Sequence, residues 1–349
     1  MSDFPRTLFV GISNGAVCWY RCALPATVLG CDWIGVGSEP PAPAIRTGVV
    51  PPSFTFADAS SYDVVVVQQV GGPHWLNAIR GWQAAGVTVL YEIDDWLHGV
   101  RNVAEHTHAA RLDRATVATY ELCMRAADGV ICSTDWLAQR YRSVNPRTWT
   151  CRNGIDLARY GLSRPPRDHV GIGWAGGTGH TASAKPWVAE VGAIMREAPD
   201  TRFVSVGQPF ADWLAPEFPG RTLAVPFTAL EVYPAAMTHF DVALAPAGKG
   251  DYFKGKSDLR WLEASALSLP CVADPDVYPE IEHGVTGFHA STPAEMGAIV
   301  RELVADPALR ARVGAAAHEH VREHRTIQVA ARRWAEVLRA AVATEAAAA

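Results

Sequence analysis

Four lysines stand among the 31 basic residues of this 349-residue chain, and three of them, Lys249, Lys254 and Lys256, fall within eight positions. A compact ammonium on a flexible stem is the usual point-charge partner of phosphate oxygens. The same stretch reads Gly250-Asp-Tyr-Phe-Lys-Gly255-Lys256-Ser257, a literal G-x-x-x-x-G-K-[ST] between a predicted strand and a predicted helix. Ser257 and Asp258 suit the N-cap and first turn of that helix, where N–H groups and the helix dipole attract an anion. Two chemistries fit, hydrolysis by a P-loop NTPase or a phosphate site of another kind, and a lysine-rich surface loop is the plain alternative. A P-loop ordinarily follows the first strand of its domain, whereas mostly helical sequence follows here, with Asp274 alone to mimic a Walker B acid.

Glu263 lies in the same predicted helix among Trp261, Leu262, Ala264 and Leu267. A carboxylate on so apolar a segment is costly to bury unless it accepts hydrogen bonds, which a ribose diol would donate. The alternative is an outward-facing side chain or a pair with Arg260. Asp94 and Asp95 directly follow the strand-like run VTVLYEI. They can orient or deprotonate an acceptor hydroxyl, bind sugar hydroxyls, or cap the next helix. With Glu92 they also resemble a metal-binding D-x-D. His74 and His180 both follow predicted strands, as substrate contacts or as surface histidines. His320-Val-Arg-Glu-His324 fits the H-x-x-E-H zinc pattern, without a third ligand in evidence.

The elements that must position these groups alternate. Strand-like runs at 6–12, 62–70, 87–93, 129–134 and 148–153 are followed, beyond an Arg/Pro-rich stretch at 162–169, by a second series at 170–176, 202–207, 222–226, 240–246 and 270–274. Helical patterns at Trp75–Ala85, Arg111–Ala127, Trp187–Glu197 and Leu259–Leu267 lie between them, and helices dominate from Pro293 to a tail expected to fray. Alternation of this kind predicts α/β architecture with parallel, doubly wound sheets, which bind ligands beyond the carboxyl ends of their strands. Composition agrees with a globular chain, 49% hydrophobic and 19% charged, and no apolar run approaches the ~20 residues of a membrane span. No basic, apolar leader opens the sequence, so a cytoplasmic location is expected, with the seven cysteines as reduced core thiols. The net charge of −5 argues against a dedicated nucleic-acid binder, yet residues 98–169 carry 11 Arg against 7 acids, either a solvated face or a positive wall for an anionic substrate.

The block from FDVALAP through Tyr252-Phe-Lys-Gly-Lys-Ser-Asp-Leu-Arg-Trp-Leu-Glu to Tyr278 and HGVTGF (283–288) resembles the nucleotide-sugar half of retaining GT-B glycosyltransferases of the large family that includes glycogen and sucrose synthases. Trp19-Tyr20-Arg21, YEIDDW (91–96), CRNGID (151–156), GWAGGTGH (173–180) and ADPALRARV (305–313) agree in order, so the resemblance spans nearly the whole chain. Where the family carries a Glu-x7-Glu pair, Gly255 replaces the first acid and Glu263 is retained. The Arg often found after the first strand of the second domain is absent at Gly177, and Lys185 lies near the second basic position.

The resemblance implies two Rossmann-like domains facing across a cleft, an acceptor-side domain over 1–160 and a donor domain over 161–325, with 326–349 a helix crossing back. It implies transfer of a sugar from a nucleoside diphosphate sugar to an acceptor hydroxyl, with retention and with neither metal nor other cofactor. Donor contacts would come from Gly15, Gly176, Gly177, His180, Lys185, Lys256, Ser257, Asp258 and Glu263, and catalytic contacts from Asp94, Asp95, His74 and Lys256. The acceptor stays open among a glycan, a lipid-linked sugar, a protein and a modified DNA base, with an anionic one favoured by the basic middle segment. A catalytically silent sugar-nucleotide-binding protein is the other reading beside the NTPase.

Overall fold

In the computed structural model, residues 4–11, 15–35, 56–100, 112–164, 166–177 and 181–346 are described. Strands β1 (Thr7–Gly11), β2 (Asp32–Gly35), β3 (Val64–Gln68), β4 (Thr88–Ile93), β5 (Gly129–Cys132) and β6 (Thr148–Thr150) form a parallel sheet in the order β2-β1-β3-β4-β5-β6. A second parallel sheet contains β7 (Val170–Gly176), β8 (Thr201–Gly207), β9 (Thr222–Val225), β10 (Val242–Ala245), β11 (Cys271–Ala273) and β12 (Phe288–His289), ordered β12-β11-β10-β7-β8-β9. Residues such as Val64–Val67 are β-branched and buried on both faces, as strands sandwiched between helix layers must be. The short edge strand β2 and the two-residue β12 escaped the sequence reading, since neither is long enough to show a pattern.

The first sheet carries α1 (Ala16–Cys18), α2 (Leu24–Leu29), α3 (Pro73–Ala84), α4 (Leu97–Val100), α5 (Arg114–Ala126) and α6 (Asp135–Tyr141). Between α1 and α2 the turn Trp19–Ala23 is π-helical. Pro25 has no N–H to offer the Arg21 carbonyl, and widening the preceding turn accommodates its ring. The second sheet carries α7 (Thr181–Glu197), α8 (Tyr233–Met237), α9 (Asp251–Lys254), α10 (Leu259–Ala266), α11 (Pro293–Ala305) and α12 (Pro307–His324).

The last helix, α13 (Ile327–Ala346), returns to the first sheet. Its Trp334, Val337, Leu338 and Ala341 join one core with Phe9, Val64 and Leu90, and the Trp334 ring meets Phe9 edge-on at 5.6 Å. The return passes beside the Asn-Gly-Ile-Asp stretch, where Ile155 bridges Thr326. Gly154 permits this, because a Cβ there would lie 2.7 Å from the Ile327 Cα and 2.8 Å from the Thr326 carbonyl oxygen. All seven cysteines are free thiols. Among the described residues no helix is long and apolar enough to cross a membrane.

Candidate functional site

A cavity of about 670 Å³ lies between the halves. Gly15, Ala16 and Val17, after β1, contribute one wall, and Gly176, Gly177, Pro246 and Ala247 contribute another. These last four follow β7 and β10, the neighbouring strands from which the second sheet winds in opposite directions, where doubly wound sheets bind ligands. Lys256, Ser257, Leu259, Arg260 and Glu263 bring the amino end of α10 to the same space.

The G-x-x-x-x-G-K-S stretch does not fold as a P-loop. Gly250, at a φ of 108°, starts the single turn α9, and the amides of Phe253, Lys254, Gly255 and Lys256 bond to the carbonyls of Gly250, Gly250, Asp251 and Phe253. Those N–H groups are therefore spent inside the turn and cannot cradle phosphates, which leaves the Lys256 and Ser257 side chains and the start of α10.

Lys256 Nζ lies 2.5 Å from Asp95 Oδ1 of the opposite half and 4.4 Å from the centre of the Tyr252 ring. Burial favours loss of its proton, but Asp95 and Tyr252 outweigh that and hold the ammonium well above its ordinary range. Beside this pair, burial, with the charges of Asp95 and Glu92 added, pushes Asp94 up to about 8. Its Oδ1 is enclosed and without a hydrogen-bond partner. Two adjacent carboxyls thus differ in role, one paired with an ammonium and one carrying its proton at neutral pH.

Glu263 is buried and accepts hydrogen bonds from Tyr20 at 2.9 Å and Tyr233 at 3.1 Å, while Tyr160 donates to the Tyr20 hydroxyl at 3.0 Å. Burial pushes its carboxyl up to about 7, against the two tyrosine hydrogen bonds. A carboxyl raised on folding contributes stability that is full below its unfolded pKa and declines as pH rises through the folded one. Glu263 and Asp94 act in the same direction, so the ligand-free protein is expected to melt at a lower temperature at pH 8 than at pH 5, less steeply in Glu263→Gln. Equal pH slopes for wild type and variant in thermal melts would remove Glu263 from this account.

Other nominated residues stand elsewhere. Asp258 caps α10 by position only, because its two carboxylate oxygens take Arg325 at 2.6 and 3.0 Å. Arg325 is a nearly buried guanidinium on the turn into α13 and requires that partner. His74 is exposed in the first turn of α3 and Lys185 is exposed on α7, and neither lines the cavity. His180 falls outside the described residues. Glu92 is withdrawn from any D-x-D by Arg21, whose Nε sits at 2.6 Å. His320 and His324 meet edge-on at 5.0 Å, but among the described residues no three His, Cys, Asp or Glu side chains form a metal-binding group.

Several arginines of the basic middle segment are engaged within the chain. Arg140 pairs with Asp251, Arg152 with Asp135 and Glu280, and Arg164 and Arg167 with Asp241, so these arginines join chain segments rather than form a wall for a ligand. The tyrosines around Glu263 and the loop Phe227–Leu230, which lines the cavity, were missed by sequence reasoning. The only available signal was the costliness of Glu263, which demands donors without naming them.

Residues 189–336 match the glycosyl transferase-like family. HepE of Anabaena, solved with UDP and glucose, is 16% identical over 96% of this chain and 100% of its own, with a TM-score of 0.64. Sucrose-phosphate synthase of Thermosynechococcus elongatus is 16% identical over 97% and 100%, at 0.70, and a glycosyltransferase of Rickettsia africae is 10% identical over 96% and 98%, at 0.66. No curated protein matches by sequence. With two parallel six-stranded sheets like those of these structures, the chain has the GT-B fold, and its residues 189–336 resemble the glycosyl transferase-like family.

Proposed function

We propose that this protein transfers a sugar from a nucleoside diphosphate sugar to an acceptor hydroxyl, with retention at the anomeric carbon and without a metal ion. The observation that carries the reading is the 2.5 Å contact across the cleft between Lys256, on the donor side, and Asp95, on the acceptor side. It brings a cation suited to a leaving diphosphate and a carboxyl suited to an incoming hydroxyl to one point of a cavity large enough for a nucleotide sugar.

In this reading the Lys256 ammonium, the Ser257 hydroxyl and the amino end of α10 stabilise the departing diphosphate, work that a divalent cation does elsewhere. Glu263 accepts the ribose hydroxyls, and Gly15, Gly176 and Gly177 let backbone approach the donor. Asp95, once displaced from Lys256, orients the acceptor hydroxyl and draws off its proton. Retention follows from the family resemblance, in which the leaving phosphate departs on the face where the acceptor enters. HepE was solved with UDP and glucose, which makes UDP the first nucleotide to test.

The test is a thermal-shift panel of UDP, GDP, ADP and dTDP sugars in excess EDTA, followed by an assay of nucleotide release with candidate acceptors. A ligand at about a hundred times its Kd stabilises by about 2.7 kcal/mol, a shift of several degrees. Stabilisation by one nucleotide series, unchanged by EDTA, is the expected result. Stabilisation that vanishes in EDTA and returns with magnesium or manganese would replace the lysine site with a metal site.

A further inference from the structure

We propose that Asn153, contributed by the N-terminal half, fixes the polarity of the Ser257 hydroxyl and so acts as a positioning residue for the donor diphosphate. The inference rests on the donor reading above and extends it to a residue outside the cavity lining.

Asn153 is 4% exposed and is held from three directions. Its Nδ2 donates to Ser257 Oγ at 3.0 Å, its Oδ1 accepts from Arg21 Nη1 at 2.9 Å, and its main-chain carbonyl accepts from Arg325 Nη2 at 3.2 Å. A guanidinium has no acceptor, so only the amide oxygen can face Arg21, and the amide nitrogen must then face Ser257. Arg21 cannot turn away. It is 1% exposed, its Nε is bound to the fully buried Glu92 at 2.6 Å, its Nη1 also reaches the Cys151 carbonyl at 2.7 Å, and Trp334 of α13 covers it at 5.1 Å. Gln68 holds the other Glu92 oxygen at 3.1 Å.

A serine hydroxyl has one proton and two lone pairs. Asn153 takes a lone pair by donating, so the proton is left to donate elsewhere, and Ser257 lines the cavity where the diphosphate is placed. The buried pair Arg21 and Glu92 thereby presets, through Asn153, a donor rather than an acceptor toward an anion. A residue that merely tied the two halves together would carry no such polarity.

Asn153→Asp separates the two roles. An aspartate of the same shape accepts from Arg21 and also from Ser257, so the tie between the halves persists while the serine proton is consumed. We expect UDP affinity, measured by calorimetry, to fall tenfold or more with uridine affinity changed less than twofold. A new negative charge also repels a diphosphate by itself, and a double-mutant cycle removes that contribution. In a Ser257→Ala background the Asn153→Asp loss should shrink to threefold or less.

Should circular dichroism show Asn153→Asp unfolded, Asn153→Ala decides the matter. It frees the hydroxyl to rotate and should weaken UDP binding about threefold with Ser257 present and not at all without it. Wild-type UDP affinity in Asn153→Asp, or an equal loss in either variant with and without Ser257, overturns the positioning role alone. A wild-type protein that binds none of UDP, GDP, ADP and dTDP overturns the donor reading, and the positioning role with it.

Discussion

Asp95→Asn is expected to bind UDP up to about tenfold more tightly than the wild type while transferring sugar at least a hundredfold more slowly. The first effect follows from competition. In the ligand-free protein the Lys256 ammonium is already engaged by Asp95 at 2.5 Å, so an arriving diphosphate must displace or share that carboxylate. A neutral amide competes less and repels less, and charge-assisted contacts to the phosphate gain what the ion pair gives up. The second effect follows from the loss of the group that would take the acceptor proton, a contribution of about 10²–10⁴ in rate. Movement of affinity and turnover in opposite directions is the diagnostic result. Weaker UDP binding in calorimetry would instead make Asp95 a scaffold for Lys256. Asp94→Asn replaces a carboxyl whose pKa is pushed up to about 8, and nucleotide affinity at pH 7 should stay near that of the wild type.

Glu263→Gln should weaken UDP binding ten- to a hundredfold and should impair uridine binding as well. The carboxylate accepts from Tyr20 and Tyr233 and lines the cavity, with lone pairs on each oxygen left for a diol. Glutamine keeps the shape but turns an NH₂ toward one of the tyrosines and removes the charge that strengthens the bonds to a ribose. Lys256→Ala is the complement, weakening UDP while sparing uridine. UDP affinity should also rise from pH 6 to pH 8, because a diol donates to the ionised carboxylate and Glu263 titrates at about 7. A folded Glu263→Gln protein with wild-type affinity for both ligands would remove the ribose assignment.

Which parts were legible follows from the range of the interactions. β3 and β4 announce themselves locally, as runs of residues that must be buried on both faces. The apolar surroundings of Glu263 are likewise local, so a buried carboxylate in need of donors could be read directly. Its donors could not, since Tyr20 lies 243 residues away in sequence and reaches it from the π-helical turn of the other half. The P-loop pattern, already doubtful from its place in the chain, could not be decided from sequence for the converse reason: a spacing of glycines is silent about whether the amides between them are already bonded. Asp258 was nominated for its place at a helix start, and a buried arginine 67 residues later claims it instead. Arg21, Asn153 and Glu92 come from three separate segments, and nothing in any one of them foretells the chain of hydrogen bonds to Ser257.

The return of α13 to the first sheet governs the order in which a growing chain can finish folding. Trp334, Val337, Leu338 and Ala341 complete the core around Phe9, and Trp334 roofs the buried Arg21 and Glu92 pair. A ribosome therefore releases the first half with one face of its sheet covered only in part, by α1, the π-helical turn and α2, and with the ion pair unroofed, and both wait until α13 has emerged. The second half, made later, holds its whole sheet within residues 170–289 and can close first. Synthesis and completion then run in opposite directions along the chain, and during the interval the earliest residues depend on the latest ones for protection from aggregation.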